Sequence, residues 1–244
     1  MTGSNVCFIP ARSGSTRLKN KNLEKISGLS LIGWATVAAK MIEVFDDIII
    51  STDSKHYFDC VKSELINMGF STENISIDLR SKDDAGSKVK IFDYIKSRFS
   101  HPVMVDPKGI LVQFLPTSPF RQVSTIKNAI EEMVTAGTSG FSAAPYDFHV
   151  SFAFEAKDNQ WTPLLGENSP MVSGQTQSQD QREFMHPCGS FYILQTKDIP
   201  KMKTIYSGAH CIPVDRLASL DIDTAQDLDY IKLFKPDPKT MLRR

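Results

Sequence analysis

The chain's pattern predicts an α/β fold, doubly wound around a mostly parallel sheet. Three observations carry that expectation. The segments Val6–Ile9, Asp46–Ser51 with its Ile48–Ile50 centre, Ile110–Phe114 and Gly140–Ala144 are apolar rather than alternating, which marks strands buried on both faces. Stretches with helical apolar spacing separate them, as in parallel strands joined by helices. The first run opens into a cationic loop with a glycine, and open α/β sheets bind their ligands beyond the carboxyl ends of strands.

Taken in order, Val6–Ile9 is the first strand, and Leu29–Val44 has helical spacing through Leu31, Trp34, Ala35, Val37, Ala38 and Met41. Asp46–Ser51 is a short buried strand, and Lys55–Met68 is a helix stopped by Gly69. Ile75–Ile77 reads as a weak strand. Ser87–Phe99 reads as a helix with Val89, Phe92, Ile95 and Phe99 on one face. Ile110–Phe114 is a strand, Ser124–Thr135 a helix ending before Gly137, and Gly140–Ala144 a fourth strand. The character then changes. Phe148, Phe152, Phe154 and Trp161 follow an extended alternating pattern, and a polar tract runs from Ser173 to Arg182. The expectation is one domain over residues 1–244 with a small β-rich insertion at about 146–186 that ends in a long loop, functional or disordered. Gly189–Leu194 and His210–Val214 return to strand, and Thr224–Phe234 is the last helix.

Composition narrows the function. The 244 residues suit one domain, and the 28 basic and 28 acidic side chains cancel. A net charge of zero gives no support for nucleic acid or an anionic membrane as partner. No apolar run reaches transmembrane length, and the N-terminus lacks a signal-peptide pattern. Cys7, Cys60, Cys188 and Cys211 are scattered without a CxxC pair, so neither structural zinc nor a disulfide framework is expected. These features point to a cytoplasmic protein. Cys7 reads as a core thiol and Cys60 as a half-buried one on a helix.

Three segments carry chemistry. The first runs from Ile9 to Leu23. Arg12, Arg17, Lys19 and Lys21 supply charge, small residues Ser13, Gly14 and Ser15 let backbone N–H groups approach a ligand, and no carboxylate occurs from Val6 to Leu23. That combination suits a polyphosphate. The second is Ser219–Leu228. Placed in a strand, Asp221 and Asp223 point to one face and repel each other unless a cation lies between them, which suits Mg²⁺ shared with substrate phosphates; two solvated carboxylates are the alternative. Thr224 with Asp227 three residues on reads as a capping box. The third is Leu115–Arg121, in which Pro116 and Pro119 stiffen a turn. Thr117, Ser118 and Arg121 either face the crevice or form a rigid connection that caps the next helix. Asp53, after Ser51 and Thr52, either caps a helix, the commoner role for such a residue, or helps hold the metal.

The ordered set Ile9-Pro-Ala-Arg-Ser-Gly-Ser, Asn20-Lys-Asn-Leu23, Ser51-Thr-Asp53, Pro116-Thr-Ser-Pro-Phe-Arg121, Gly189-Ser-Phe-Tyr192 and Asp221-Ile-Asp-Thr224 resembles the acylneuraminate cytidylyltransferases, the CMP-sialic acid synthetases and their relatives. The resemblance spans Val6 to about Leu233. It implies a fold like the nucleotide-diphospho-sugar transferases, a protruding segment for homodimerisation, and a reaction of CTP with a 2-keto-3-deoxy sugar acid that yields the CMP-sugar and pyrophosphate with Mg²⁺. Arg12 and Lys21 then match triphosphate-holding cations. Ser15 and Asn22 match polar contacts to the nucleotide, with Ala11, Ser13, Gly14, Thr117 and Ser118 completing the nucleotide site. Asp221 and Asp223 match the metal ligands, and with Arg12 and Lys21 they make up the catalytic set. Arg121, His149, Arg182, Gly189 and Ser190 are the candidate sugar-acid contacts.

The chain also departs from the family. Leu115 stands where a base-reading Gln is usual, and Gln113 lies about 7 Å back along the strand. Cys188 replaces an Asn, and Ser178 stands where an Arg is expected, with Arg182 shifted nearby. The loop is mixed: Ser15-Thr-Arg-Leu18 is similar to the 3-deoxy-manno-octulosonate enzymes and Lys21-Asn-Leu23 to the sialic acid branch. A different sugar acid, a different base, or a silent nucleotide-binding protein are therefore the alternatives. His56 is expected on a helix surface, His101 in a loop, and His186 beside the Gly189 strand.

Overall fold

The computed structural model describes residues 3–15, 18–99, 106 and 108–243. Arg17 and His101, both singled out above, lie outside them. The strands are β1 (Asn5–Pro10), β2 (Lys25–Ile26), β3 (Leu29–Ser30), β4 (Asp47–Thr52), β5 (Ile75–Leu79), β6 (Ile110–Gln113), β7 (Gly140–Pro145), β8 (Phe154–Lys157), β9 (Gln160–Pro163), β10 (Met185–Gln195) and β11 (His210–Pro213). The helices are α1 (Leu31–Ile42), α2 (Lys55–Asn67), α3 (Ile91–Phe99), α4 (Val123–Ala136), α5 (Pro170–Ser173), α6 (Ala225–Lys232) and α7 (Pro238–Arg243).

Seven strands form one sheet in the order β11-β7-β10-β6-β1-β4-β5. All neighbours are parallel except β10, which runs antiparallel to both β6 and β7. The chain moves from β1 outward through β4 to β5, then returns to β6 on the other side of β1. Connections leave β1 and β6 in opposite directions at this point, which opens a crevice at their carboxyl ends. The opening loop and the Leu115–Arg121 turn flank it.

The continuous apolar strands have the expected cause. Alternate residues of one strand enter two different cores. Cys7 and Ile9 pack with α1, α2, α4 and α6, while Val6 and Phe8 pack with α3 and Ile199. The mostly parallel, helix-covered sheet is therefore as the sequence suggests.

Several boundaries differ. α1 begins at Leu31 because Ser30 caps it, accepting from the Gly33 N–H at 3.0 Å, and Leu29 belongs to a small hairpin with β2. α3 begins at Ile91 rather than Ser87, since residues before it form turns closed by bonds such as Val89 N–H to Gly86 O. Val89 is accordingly exposed instead of packed on a helix face. The insertion leaves the sheet after Pro145 and is only partly β. Phe154 and Trp161 lie in the β8–β9 hairpin, but Phe148 is in a turn and Phe152 in a 3-10 turn. The polar tract holds a short 3-10 turn at Ser178–Asp180. α7 was not anticipated.

Candidate functional site

The loop after β1 is held from below. Ala11 is buried and donates its N–H to Ser51 O at 2.8 Å. Ser13 gives its N–H to Asp53 Oδ1 at 2.7 Å and its hydroxyl to Asp53 Oδ2 at 2.8 Å. Asp53 is thus a loop anchor and not a helix cap; Ser54 occupies the cap position of α2. Burial works against its charge, but the bonds from Ser13 and the Arg80 charge outweigh it and lower its pKa. Ser15 closes a tight turn by donating to Ser13 O, and Gly14 stands exposed between them. Buried Asn22 donates Nδ2–H to Arg12 O at 3.0 Å, so it fastens the loop to itself. Lys21 begins a 3-10 turn whose preceding residue, Asn20, has φ 53°.

Carboxylates absent from the loop come from elsewhere. Lys21 Nζ lies 2.9 Å from Asp223 Oδ1, with the lysine side chain only 12% exposed. Asp221 and Asp223 are not in a strand. They flank buried Ile222, whose N–H donates to Thr117 O at 2.8 Å and ties the segment beneath the Pro116 turn. Their side chains still reach one space, because the buried residue between them fixes the other side. Thr224 and Asp227 form the expected capping box of α6.

A cleft of about 370 Å³ gathers Arg12, Lys21, Asn22, Thr117, Asp221 and Asp223. Arg80, which sequence reasoning missed, joins them. It is the residue after β5, at the carboxyl end of a parallel strand, and that position was its available signal. Burial lowers its pKa, while Tyr94, Asp53 and Asp78 oppose the shift and Arg12 adds to it. Among the described residues, the cleft therefore gathers three cations and two carboxylates. Leu115 and Val89 give it an apolar wall. Gln113 is 1% exposed within β6 and does not line it.

Arg121, expected to contact the sugar acid, does not line the cleft. It is fully buried and donates to the carbonyls of Ser190 (2.5 Å) and Leu115, with its guanidinium carbon 4.7 Å from the centre of the Phe114 ring. Burial pushes its pKa down to about 9. It braces the Leu115 turn against β10 rather than meeting a ligand. Ser118 and Ser190 are likewise buried, and Gly189 O accepts the Leu115 N–H at 3.2 Å. These three support the cleft's floor without lining it. His149 precedes the 3-10 turn at Val150–Phe152, and Arg182 lies 5.6 Å from the Phe184 ring. Arg182 lines a separate cavity of about 410 Å³ inside the insertion, so the fold of one chain brings neither residue to the cleft. His186 packs against Tyr146, and His56 is exposed on α2.

The fold and cleft define an α/β protein with a charged crevice at the carboxyl ends of its parallel strands. The family model described as "Cytidylyltransferase" matches residues 6–232, and the chain belongs to that family. It is 29% identical to a CMP-N,N'-diacetyllegionaminic acid synthase of Legionella pneumophila, over 91% of this chain and 92% of that protein. It is 26% identical to a pseudaminic acid cytidylyltransferase of Campylobacter jejuni, over 94% of this chain and 95% of the relative. Among solved structures it is similar in fold to a CMP:2-keto-3-deoxy-manno-octonic acid synthetase complexed with CTP. There the TM-score is 0.61 and identity 14%, covering 95% of this chain and 98% of the other.

Proposed function

We propose that this chain is a CMP-sugar synthetase that joins CMP from CTP to a sialic-type nonulosonic acid and releases pyrophosphate, acting as a cytoplasmic homodimer. The observation that carries the reading is the cleft at the β1–β6 crevice, where Arg12, Lys21 and Arg80 face the same space as Asp221 and Asp223. Full-length relatives that act on legionaminic and pseudaminic acids support the substrate class.

In the reaction the sugar acid's anomeric hydroxyl attacks the α-phosphorus of CTP and gives up its proton to solvent, an O–P bond forms, and the bond to the pyrophosphate oxygen breaks. Charge grows on the phosphate oxygens and the leaving group. Arg12, Lys21 and Arg80 are donors for that charge; Lys21, held by Asp223, and Arg80, held by Ser51 O, are fixed, and fixed donors need no reorganisation as the charge develops. Asp221 and Asp223 are the residues that would hold Mg²⁺. Two carboxylates are a donor set that fits an ion completing its shell with water and substrate phosphate, and not an all-protein cage. Bound there, the ion supplies further neutralisation of the triphosphate. The dimer reading rests on the insertion, which leaves Phe148, Phe154, Trp161 and Leu164 exposed, with Phe154 and Trp161 in contact with each other, and exposed apolar surface is what interfaces cover. A partner's insertion is also the route by which Arg182 and His149 reach a sugar acid.

The test is pyrophosphate release from CTP and Mg²⁺ with legionaminic, pseudaminic and N-acetylneuraminic acids and with 3-deoxy-manno-octulosonate. Release is expected with a nonulosonic acid and falls by about 100-fold in Asp221→Asn. A folded protein that releases none with any of them overturns the reading. A second reading, another base, is favoured by Leu115 in the cleft wall and the burial of Gln113. Thermal shifts with CTP, UTP, ATP and GTP separate the two, since equal shifts for all four remove cytosine preference.

A further inference from the structure

Arg80 stands beside an assembly that the reaction above does not use. Asp78 on β5 is buried and accepts three hydrogen bonds, from Ser51 Oγ (2.7 Å), Tyr94 Oη (2.6 Å) and Arg98 Nη2 (2.6 Å). The guanidinium carbon of Arg80 lies 5.6 Å from the centre of the Tyr94 ring, and that of Arg98 lies 5.7 Å from it. Arg80 also donates Nη2–H to Ser51 O at 3.0 Å, the same oxygen that receives the Ala11 N–H of the opening loop. Ser51 thus links the loop, Arg80 and Asp78. Neither Asp78, Tyr94 nor Arg98 lines the cleft.

A buried guanidinium is costly unless opposite charge and hydrogen bonds offset its desolvation. A long side chain also loses rotamer freedom when it is held in one pose. β5 is the sheet's outer strand, so its far side has no strand neighbour to brace the residue that follows it. The Tyr94 ring, fixed by its hydroxyl on Asp78, gives Arg80 a face to lie on, and the Asp53 and Asp78 carboxylates both act on its charge.

We propose that Asp78, Tyr94 and Arg98 are positioning residues that hold the Arg80 guanidinium in the cleft as a nucleotide-binding cation. The inference rests on the reading of the cleft as a nucleotide site. A purely structural role, fastening α3 to the sheet edge, predicts lower stability without an effect that depends on Arg80.

The test measures CTP affinity by calorimetry, with Mg²⁺, on the full chain and on Arg80→Ala, Asp78→Asn, Tyr94→Phe and the doubles Asp78→Asn/Arg80→Ala and Tyr94→Phe/Arg80→Ala. Arg80→Ala is expected to weaken CTP binding about tenfold or more, the size of a lost charged hydrogen bond. Asp78→Asn and Tyr94→Phe each weaken it several-fold, and in turnover raise the KM for CTP more than they lower kcat. In the Arg80→Ala background neither adds further loss, because residues acting through one group are not additive. The proposal is overturned if the losses multiply, or if both single variants bind CTP as the parent does. Tyr94→Phe keeps the ring and removes only a hydroxyl, so it carries the cycle if Asp78→Asn fails to fold. A parent chain that does not bind CTP overturns the nucleotide-site reading itself. Equal binding by parent and Arg80→Ala overturns the positioning proposal alone.

Discussion

An added methyl group at Gly189 would meet Leu115 Cδ1 and Ser118 Oγ, each at 2.9 Å. Both belong to the turn that buried Arg121 clamps to β10, so neither moves freely. Gly189→Ala is therefore an overpacking substitution at the cleft's floor, with an expected cost of about 1–3 kcal/mol. For a chain of this size that is a fall in Tm of roughly 2–4 °C per kcal/mol. Because Leu115 lines the cleft, CTP binding weakens in the same variant. Calorimetric melting and CTP titration check both, and an unchanged Tm would show that the turn yields to the methyl group. Residue identity alone was informative for Lys21, whose ammonium meets Asp223 where the loop lacked an acid. It misled for Arg121. Its place after a strand's carboxyl end suggests a ligand, yet the carbonyls of Leu115 and Ser190 and the Phe114 ring draw it inward.

Among the elements, the two loops beyond β1 and β4 act as one unit because Asp53 receives both bonds from Ser13. This coupling has a pH signature. The folded-state pKa of Asp53 is depressed, so its contribution to stability is present above the ordinary carboxylate range, near 3.9, and is lost as pH falls through the depressed value. The difference in Tm between the parent and Asp53→Asn is expected to be clear at pH 7 and to shrink below about pH 4. Melts across pH 3–8 check it, and a difference that does not change with pH would refute the anchor. Helices and inner strands were legible because their periodicities are long and both faces are buried. The start of α3 was not, because turn bonds such as that from Val89 to Gly86 depend on local backbone geometry, which apolar spacing does not encode.

For the whole molecule, the insertion sets the next expectation. Its hairpin keeps Phe154 and Trp161 about half exposed, at 52% and 50%, although they touch each other edge to face. The proposed dimer buries them. Sedimentation is expected to give a dimer for the parent at micromolar concentration and a monomer for Phe154→Ser/Trp161→Ser, with the sheet's circular dichroism retained. A monomeric parent would refute the assembly. The cleft itself is a product of topology. It draws on segments as distant in sequence as Arg12 to Asn22, Arg80, Leu115 to Thr117, and Asp221 with Asp223, and the return of the chain to β6 beside β1 brings the Leu115 turn to the opening loop.

By itself the sequence determined the fold class, the cationic loop, the aspartate pair and the capping box that follows it. Each of these is written in neighbouring residues, through side-chain period, local charge and hydrogen bonds over three or four positions. Only the tertiary structure decided that Asp53 anchors Ser13, that Arg121 is a brace, that Arg182 stays with the insertion, and that Arg80 enters the cleft. Those outcomes depend on which distant groups lie within a hydrogen bond's length once the sheet is assembled, and no local pattern carries that distance.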